Sequence, residues 1–546
     1  MSTNISKIKR EQLAEKIAAL REYIARAPQD ANTANLLQYI SEIEKDIKGK
    51  KYGLVFEEHR ESIDEVLENH LPVLTEEEEL LIDNGGTMNF LIEGDNLASL
   101  KLLEKTHAGR IDLIYIDPPY NTGNKDFVYD DAFIDSNDTF RHSKWLSFME
   151  KRLKIAKNLL TDNGVIFISI DDNEQANLSM LCNEIFGEVN LVANLIWRKK
   201  YGGGKGTRFV VDLHEYVLCY CKNINILPDF LYDRPEEKME IFSMSDEYVE
   251  TRGKYYIRPL KSGLGYRATL IYPIECPDGS TITTQWICAK TTYEQLLKEG
   301  RIVFKKLKDG SYNVYKKFYS SDKGGLVHPD SILYDIAYNQ NGKEEIKKIF
   351  NVKEGRDIPF QNPKPTALIK FILTFMNNKN PTVLDFFAGS GSTGHAVMKL
   401  NAEDGGQRKF ILCTNNENNI CRDVTYERIK RVIDKEDYKA SLKYMRVDYV
   451  PISEQVYYEY ADELLSHVRE LVELENGINF RGNNSIAIVL TDEELNDFVH
   501  SDAVQTCKTL YHGHDVTPDD VASEVISRYG IKVNVIPEYY YSEMEE

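Results

Sequence analysis

No apolar run in these 546 residues approaches the roughly 20 needed to cross a bilayer. The polar start, Met1 to Arg10, has no signal-peptide core, so a membrane or secretory destination is not expected. Eight cysteines occur without a C-x-x-C pair; even Cys219 and Cys221 are one residue apart. That excludes the usual zinc spacing, argues against a disulfide framework and makes a reducing cytoplasm the expected location. Internal repeats and low-complexity tracts are missing as well. So is a phosphate-loop signature: Tyr201 to Arg208 is rich in glycine, lysine and arginine but lacks the G-x-x-x-x-G-K-[ST] spacing. Excess positive charge is absent overall, with a net charge of −20, which argues against an indiscriminate nucleic-acid binder. One segment departs from this balance. Ile196 to Gly325 holds 22 Lys and Arg against 16 Asp and Glu, either a phosphate-facing surface or a solvated face.

What is present centres on Asp117-Pro118-Pro119-Tyr120. It closes the apolar run Ile111 to Ile116, which reads as a buried parallel strand. Neither proline can donate to a sheet ladder, so the strand stops there. A carboxylate, a stiff backbone and an aromatic ring therefore collect at a strand's C-terminal end, where ligands bind in open α/β sheets. A second stretch, Val383 to Gly394, is an apolar strand followed by Gly389-Ser390-Gly391-Ser392-Thr393-Gly394 opening a helix. Such glycines let backbone approach a ligand, and a helix N-terminus offers free N–H groups. The glycines fall at the G-x-G-x-x-G positions of a dinucleotide loop, so the neighbouring charge has to decide the ligand. Asp385, just before the loop, would repel a pyrophosphate but suits a ligand with an ammonium or other positive charge. S-adenosylmethionine carries an α-ammonium and a sulfonium. The next strand ends in Asn415-Asn416-Glu417, making Glu417 the candidate for the ribose hydroxyls, with Asn416 as the alternative.

Taken in order, residues 1–83 read as a helical arm, with more helix expected at Glu76 to Ile82. Strand–helix alternation over 84–222 holds the Asp-Pro-Pro-Tyr strand. Irregular, Tyr- and Thr-rich runs over 223–355 suggest an inserted domain of mixed character, whose Tyr255, Tyr256, Tyr266, Trp286, Tyr312 and Tyr315 form its own core or stack on bases. Regular α/β pattern returns over 356–445, and 446–546 reads as a small α/β accessory unit. The expected architecture is a doubly wound, mostly parallel Rossmann-like sheet.

The pair D-P-P-Y and D-x-F-A-G-S-G-S/T-T resembles the DNA amino-methyltransferases, in the permuted order of their β class. Asn362-Pro363-Lys364-Pro365 resembles the family's segment that closes over the methionine end of the cofactor. Glu93-Gly94-Asp95-Asn96 resembles the one placing an acid by its adenine, and His214-Glu215-Tyr216 the stretch that helps form the target-base pocket. With Tyr52-Gly53-Leu54 and Leu71-Pro72-Val73-Leu74, the chain looks like the modification subunit of type III restriction–modification systems. The resemblance implies catalysis by Asp117, Pro118, Pro119 and Tyr120. It implies S-adenosylmethionine held by Asp95, Lys364, Pro365, Asp385, Phe387, Ala388, Gly389, Gly391 and either Asn416 or Glu417, and no metal. Implied partners are double-stranded DNA, a second copy in a homodimer, and a restriction (helicase-nuclease) subunit. Asp at position 117 leans toward adenine N6, leaving cytosine N4 as the alternative base and an idle DNA- or partner-binding scaffold as the alternative class. C5-cytosine chemistry needs a Pro-Cys nucleophile, and the chain has no such dipeptide.

Overall fold

A computed structural model describes residues 56–123, 137–203, 209–452, 467–479 and 484–536, apart from 264, 354, 377, 514 and 515. It also describes 16–24, positions 26, 36, 40 and 54, and the backbone of 128–129 and 132–133. Residues 16–24 are helical; the rest of the helical pattern expected before residue 50 lies almost wholly outside the described residues, as do Gly204 to Arg208 of the glycine-rich stretch.

Among the described residues the central sheet has ten strands. Along the chain they are β1 (His70–Glu76), β2 (Thr87–Glu93), β3 (Ile111–Ile116), β4 (Leu160–Ile170), β5 (Leu191–Arg198), β6 (His214–Cys221), β7 (Ile332–Leu333), β8 (Thr382–Asp385), β9 (Lys409–Thr414) and β10 (Ala440–Pro451). They lie in the order β1-β10-β2-β9-β8-β3-β4-β6-β5-β7. The run from β10 to β4 is parallel, while β6 pairs antiparallel with both β4 and β5, and β1 antiparallel with β10.

Side-chain alternation explains the three layers. Ile114, Ile116, Ile166, Ile168 and Leu384 face one side and pack with Leu100, Trp145, Leu153 and Leu178, from helices Asn96–His107, Arg141–Leu159 and Gln175–Phe186. Leu113, Tyr115, Val165, Phe167 and Val383 face the other and pack with Leu368, Val397 and Ile429, from helices Thr366–Leu373, Ser392–Asp404 and Glu427–Glu436. A strand covered on both faces must be apolar at every position, which is why β3 reads as a continuous run.

Three boundaries differ from the sequence expectation. β1 lies inside the supposed helical arm, and Glu76 to Ile82 is not a helix but the end of β1 and one short turn, Glu78–Leu80. Leu71, Val73 and Leu74 are buried there, and Pro72 is tolerated because β1 is an edge strand. At the other edge, β7 and helix Asn339–Phe350 belong to the central unit rather than to the insert, since Leu333 and Ile349 join its core. β10 runs unbroken across the boundary expected at 446. The insert keeps a three-stranded antiparallel sheet (Tyr255–Pro259, Tyr312–Tyr319, Ile302–Lys306), a hairpin (Ile271–Glu275, Thr281–Gln285) and its own core around Leu260, Trp286 and Val314. Tyr255 and Trp286 are buried, Tyr256, Tyr312 and Tyr315 half-buried, and Tyr266 exposed. The C-terminal unit is a three-stranded parallel sheet flanked by helices Asp492–His500 and Asp520–Tyr529. No helix among the described residues is long and apolar enough to cross a membrane.

Candidate active site

β3 and β8 are neighbours at the point where the strand order reverses direction along the chain. They pair through Leu113–Val383 and Ile114–Leu384. Two stretches some 270 residues apart in sequence therefore end side by side, above the carboxyl edge of the sheet. A cleft of about 860 Å³ opens there. Its walls include Asp95, Asp117, Pro118, Pro119, Tyr120, Lys364, Phe387, Gly389 and Glu417, all proposed from sequence.

Other proposed residues lie behind the wall. Asp385 is buried and holds the loop closed: its carboxylate accepts from Phe387 N at 3.0 Å and Thr393 Oγ1 at 2.5 Å. Burial pushes this carboxyl up to about 7 despite those two bonds. Gly389 and Gly391 have φ of +48° and +74°, a region costly for residues with a Cβ. Gly391 N donates to Ala388 O at 2.8 Å, tightening the turn, and Pro365 precedes helix Thr366–Leu373 as its N-cap. Asn416 does not face the cleft: its Oδ1 accepts from Cys421 N and Arg422 N, capping the next helical turn. Between the two ribose candidates, Glu417 lines the cleft.

At the Asp-Pro-Pro-Tyr end the structure assembles charges that lie far apart in sequence. The Lys364 ammonium is buried 2.7 Å from Glu215 Oε2, 3.2 Å from Asp117 Oδ1 and 2.5 Å from the Tyr120 hydroxyl. That hydroxyl lies 2.9 Å from Asp117 and 3.1 Å from Glu215. Lys199 approaches the other Glu215 oxygen at 3.6 Å, and Trp197 lies 5.6 Å from the Lys364 ammonium. Burial raises Asp117 from its ordinary value, with Lys364 pulling the other way. Burial is the largest single influence on Glu215 and would raise it, but Lys364, Lys199 and the Tyr120 hydroxyl together outweigh it, and Glu215 ends below its ordinary value. Lys364 itself is raised, because its two carboxylate partners overcome desolvation. Lys364 thus stands among the Asp-Pro-Pro-Tyr groups, although sequence reasoning put it beside the cofactor alone.

Several supporting residues were missed. Trp145 Nε1 donates to Pro119 O at 2.7 Å and clamps the diproline. Asn121, fully buried at φ +56°, donates to Glu174 at 2.5 Å and to Arg141 O at 3.2 Å, turning the chain away from the site. Lys199, Trp197 and Glu174 carry no local motif that would have marked them. Phe148, on helix Arg141–Leu159, has its ring 5.8 Å from that of Phe387 in the cleft wall.

The DNA methylase family model matches residues 111–426. The chain is 37% identical over 397 residues to the type III restriction-modification enzyme StyLTI Mod subunit of Salmonella typhimurium, covering 65% of this chain and 57% of that protein. It is 33% identical over 390 residues to the EcoPI Mod subunit of Escherichia phage P1, covering 61% and 58%. With the type II methyltransferase M.KpnI of Klebsiella pneumoniae it shares 35% identity over 354 residues, covering 60% and 81%. The match to the two Mod subunits thus takes in less than two thirds of their length. On the family match over more than half of its residues, and with β3, the insert and β8 all inside that match, this chain belongs to the DNA methylase family.

Proposed function

We propose that the chain moves a methyl group from S-adenosylmethionine to the N6 amine of an adenine flipped out of double-stranded DNA. The observation that carries this is one cleft shared by the Gly389 loop and the Asp117 carboxylate on adjacent parallel strands. The cleft suits the cofactor chemically. It offers two carboxylates, Asp95 and Glu417, for adenine amine and ribose hydroxyls, the Phe387 ring, and a glycine whose added Cβ would come within 3.2 Å of Phe360. Lys364 would hold the methionine end, with Pro365 behind it as the N-cap of helix Thr366–Leu373, while Asp385, Ala388 and Gly391 shape the loop from behind. When bound, S-adenosylmethionine supplies an electrophilic sulfonium methyl.

The chain's residues do the rest. An exocyclic amine is a poor nucleophile because its lone pair is delocalised into the ring. Asp117 and the Pro118 carbonyl accept its two hydrogens, draw the nitrogen toward tetrahedral geometry and free the lone pair. The pocket already holds a cationic nitrogen, the Lys364 ammonium, between two carboxylates. That ammonium favours the charged form of Asp117, and the charged carboxylate in turn stabilises the positive charge the amine acquires in the transition state. Tyr120 offers a π face to the flipped base. We assign residues 223–331 to target recognition. A homodimer, a restriction subunit as partner and a cytoplasmic location complete this reading.

The test is single-turnover transfer of a labelled methyl group to unmethylated genomic DNA, followed by nucleoside mass spectrometry. Asp117→Ala should lower the rate by about 10²–10³ and leave the fold intact. N4-methylcytosine as the product would move the assignment to the cytosine amine, and a near-wild-type rate for Asp117→Ala would remove Asp117 from the chemistry.

A further inference from the structure

Residues 56–69 precede the segment matched by the family, yet Glu61, Ser62 and Ile63 line the same cleft. Their seat is fixed by an ion pair out of reach of solvent. Arg152, on helix Arg141–Leu159, has a side chain 0% exposed. Both Glu61 oxygens grip it, at 2.9 Å and 3.0 Å. Arg152 Nε donates to Asn96 Oδ1 at 2.5 Å, and Nη2 lies 3.7 Å from Asp95 Oδ2. The guanidinium also sits 3.7 Å over the Phe148 ring, the ring that packs on Phe387. One buried cation therefore joins the N-terminal segment, the Asp95–Asn96 turn and the aromatic wall. Removing one member leaves the other charge buried with a longer, weaker partner, Asp95 at 3.7 Å for Arg152 or Lys151 at 3.5 Å for Glu61, so the joint loosens from either side. Lys151 adds a second tie from the same helix to Glu61 and Asp64. Asp64 in turn accepts from Glu61 N at 2.8 Å, so the Glu61 backbone is also fixed.

We propose that the Glu61–Arg152 pair is a positioning clasp that makes Glu61–Ile63 a wall of the S-adenosylmethionine pocket, so that cofactor affinity depends on a segment outside the matched methylase core. This rests on the cofactor reading above. Neither residue of the pair is given a role in the chemistry; both act through the placement of Ser62, Ile63 and Asp95.

The experiment uses the full chain, with cofactor affinity read by calorimetry and DNA binding by fluorescence anisotropy. Glu61→Gln and Arg152→Lys should each weaken S-adenosylmethionine binding about tenfold, the scale of a missing hydrogen bond to a charged group. DNA affinity should hold, and the KM for cofactor should rise more than kcat falls. S-adenosylmethionine should also slow proteolysis at residues 56–64 of the wild type. If a variant fails to fold, Ser62→Trp decides instead, since it adds bulk at the cleft without touching the pair and should also weaken cofactor binding. A folded variant with cofactor affinity within about twofold of wild type overturns the clasp. A wild type that binds no S-adenosylmethionine would sink the underlying cofactor reading, a separate result.

Discussion

Two opposing influences meet on Asp117. Burial favours its protonated form, and the Lys364 ammonium at 3.2 Å favours the charged one. An uncharged carboxyl is a weaker acceptor for the target amine, so the proposed chemistry needs the charged form. Removing the cation takes away the largest influence that opposes burial, and the Asp117 pKa must then rise further. As pH falls, the carboxylate is lost sooner. The acid limb of the single-turnover pH–rate profile for Lys364→Met should therefore move to higher pH than in wild type, while Lys364→Arg, which keeps the charge, should move it less. Calorimetry on the same variants separates this effect from any loss of cofactor affinity. An acid limb that stays in place in Lys364→Met would show that Lys364 does not govern the Asp117 charge.

At the scale of elements, the loop after β8 and the edge of the insert carry different functions. The loop depends on Gly389, where φ is +48° and an added Cβ would meet Phe360 at 3.2 Å and the Phe387 carbonyl at 3.7 Å. Gly389→Val both strains the backbone and fills the close-approach position. It should abolish measurable S-adenosylmethionine binding in a folded protein; unchanged affinity would take Gly389 out of the site. In the insert, Lys305 and Lys306 end the strand Ile302–Lys306, and Lys308 sits in the turn that follows; all three are exposed. The first two lie 5.6 Å and 5.8 Å from the rings of Tyr315 and Tyr312, so charge and aromatic surface occur together. Replacing the three lysines by glutamine should weaken DNA binding and reduce the slope of log K against log salt by up to about 3, near one unit for each phosphate no longer neutralised. Cofactor binding should be untouched. The same slope in the variant would return these lysines to an ordinary solvated face.

The whole molecule is tied together by strands from outside its central pattern. β1 brings the N-terminal part into the sheet through a seven-residue register with β10, from His70–Pro451 to Glu76–Met445. Leu71, Val73 and Leu74 are buried by that pairing. Three buried aliphatic side chains contribute about 5–9 kcal/mol, comparable to the roughly 5–15 kcal/mol by which a domain is stable. Deleting residues 1–83 should therefore give aggregated or unfolded protein, although composition alone places a boundary there. A soluble, cooperatively melting deletion product would show that β1 is dispensable. The Lys443 ammonium adds a second tie. It is buried between Glu76 and Glu473 and connects β10 with β1 and with helix Val468–Asn476 of the C-terminal part.

Much of this was written locally. The uninterrupted apolar run before Asp117 required a strand buried on both faces, and the two prolines required its end. The glycines after Asp385 required a turn no other residue type adopts cheaply. Those constraints act within a few residues, so they survive in the sequence as spacing, and they sufficed to recognise the family and name nine residues that line the cleft. Other features depend on groups far apart along the chain. Lys364 meets Glu215 across 149 positions and Tyr120 across 244, and no local pattern records which buried charges will neutralise one another. Asn416 and Glu417 are neighbours in sequence, but helix capping consumes one and leaves the other facing the cleft. β1 and β7 are short or proline-bearing segments whose strand character comes from the ladder offered by their neighbours rather than from their own propensity. Local sterics and periodicity determined the motifs; packing and the pairing of buried charge decided which side chains they brought together.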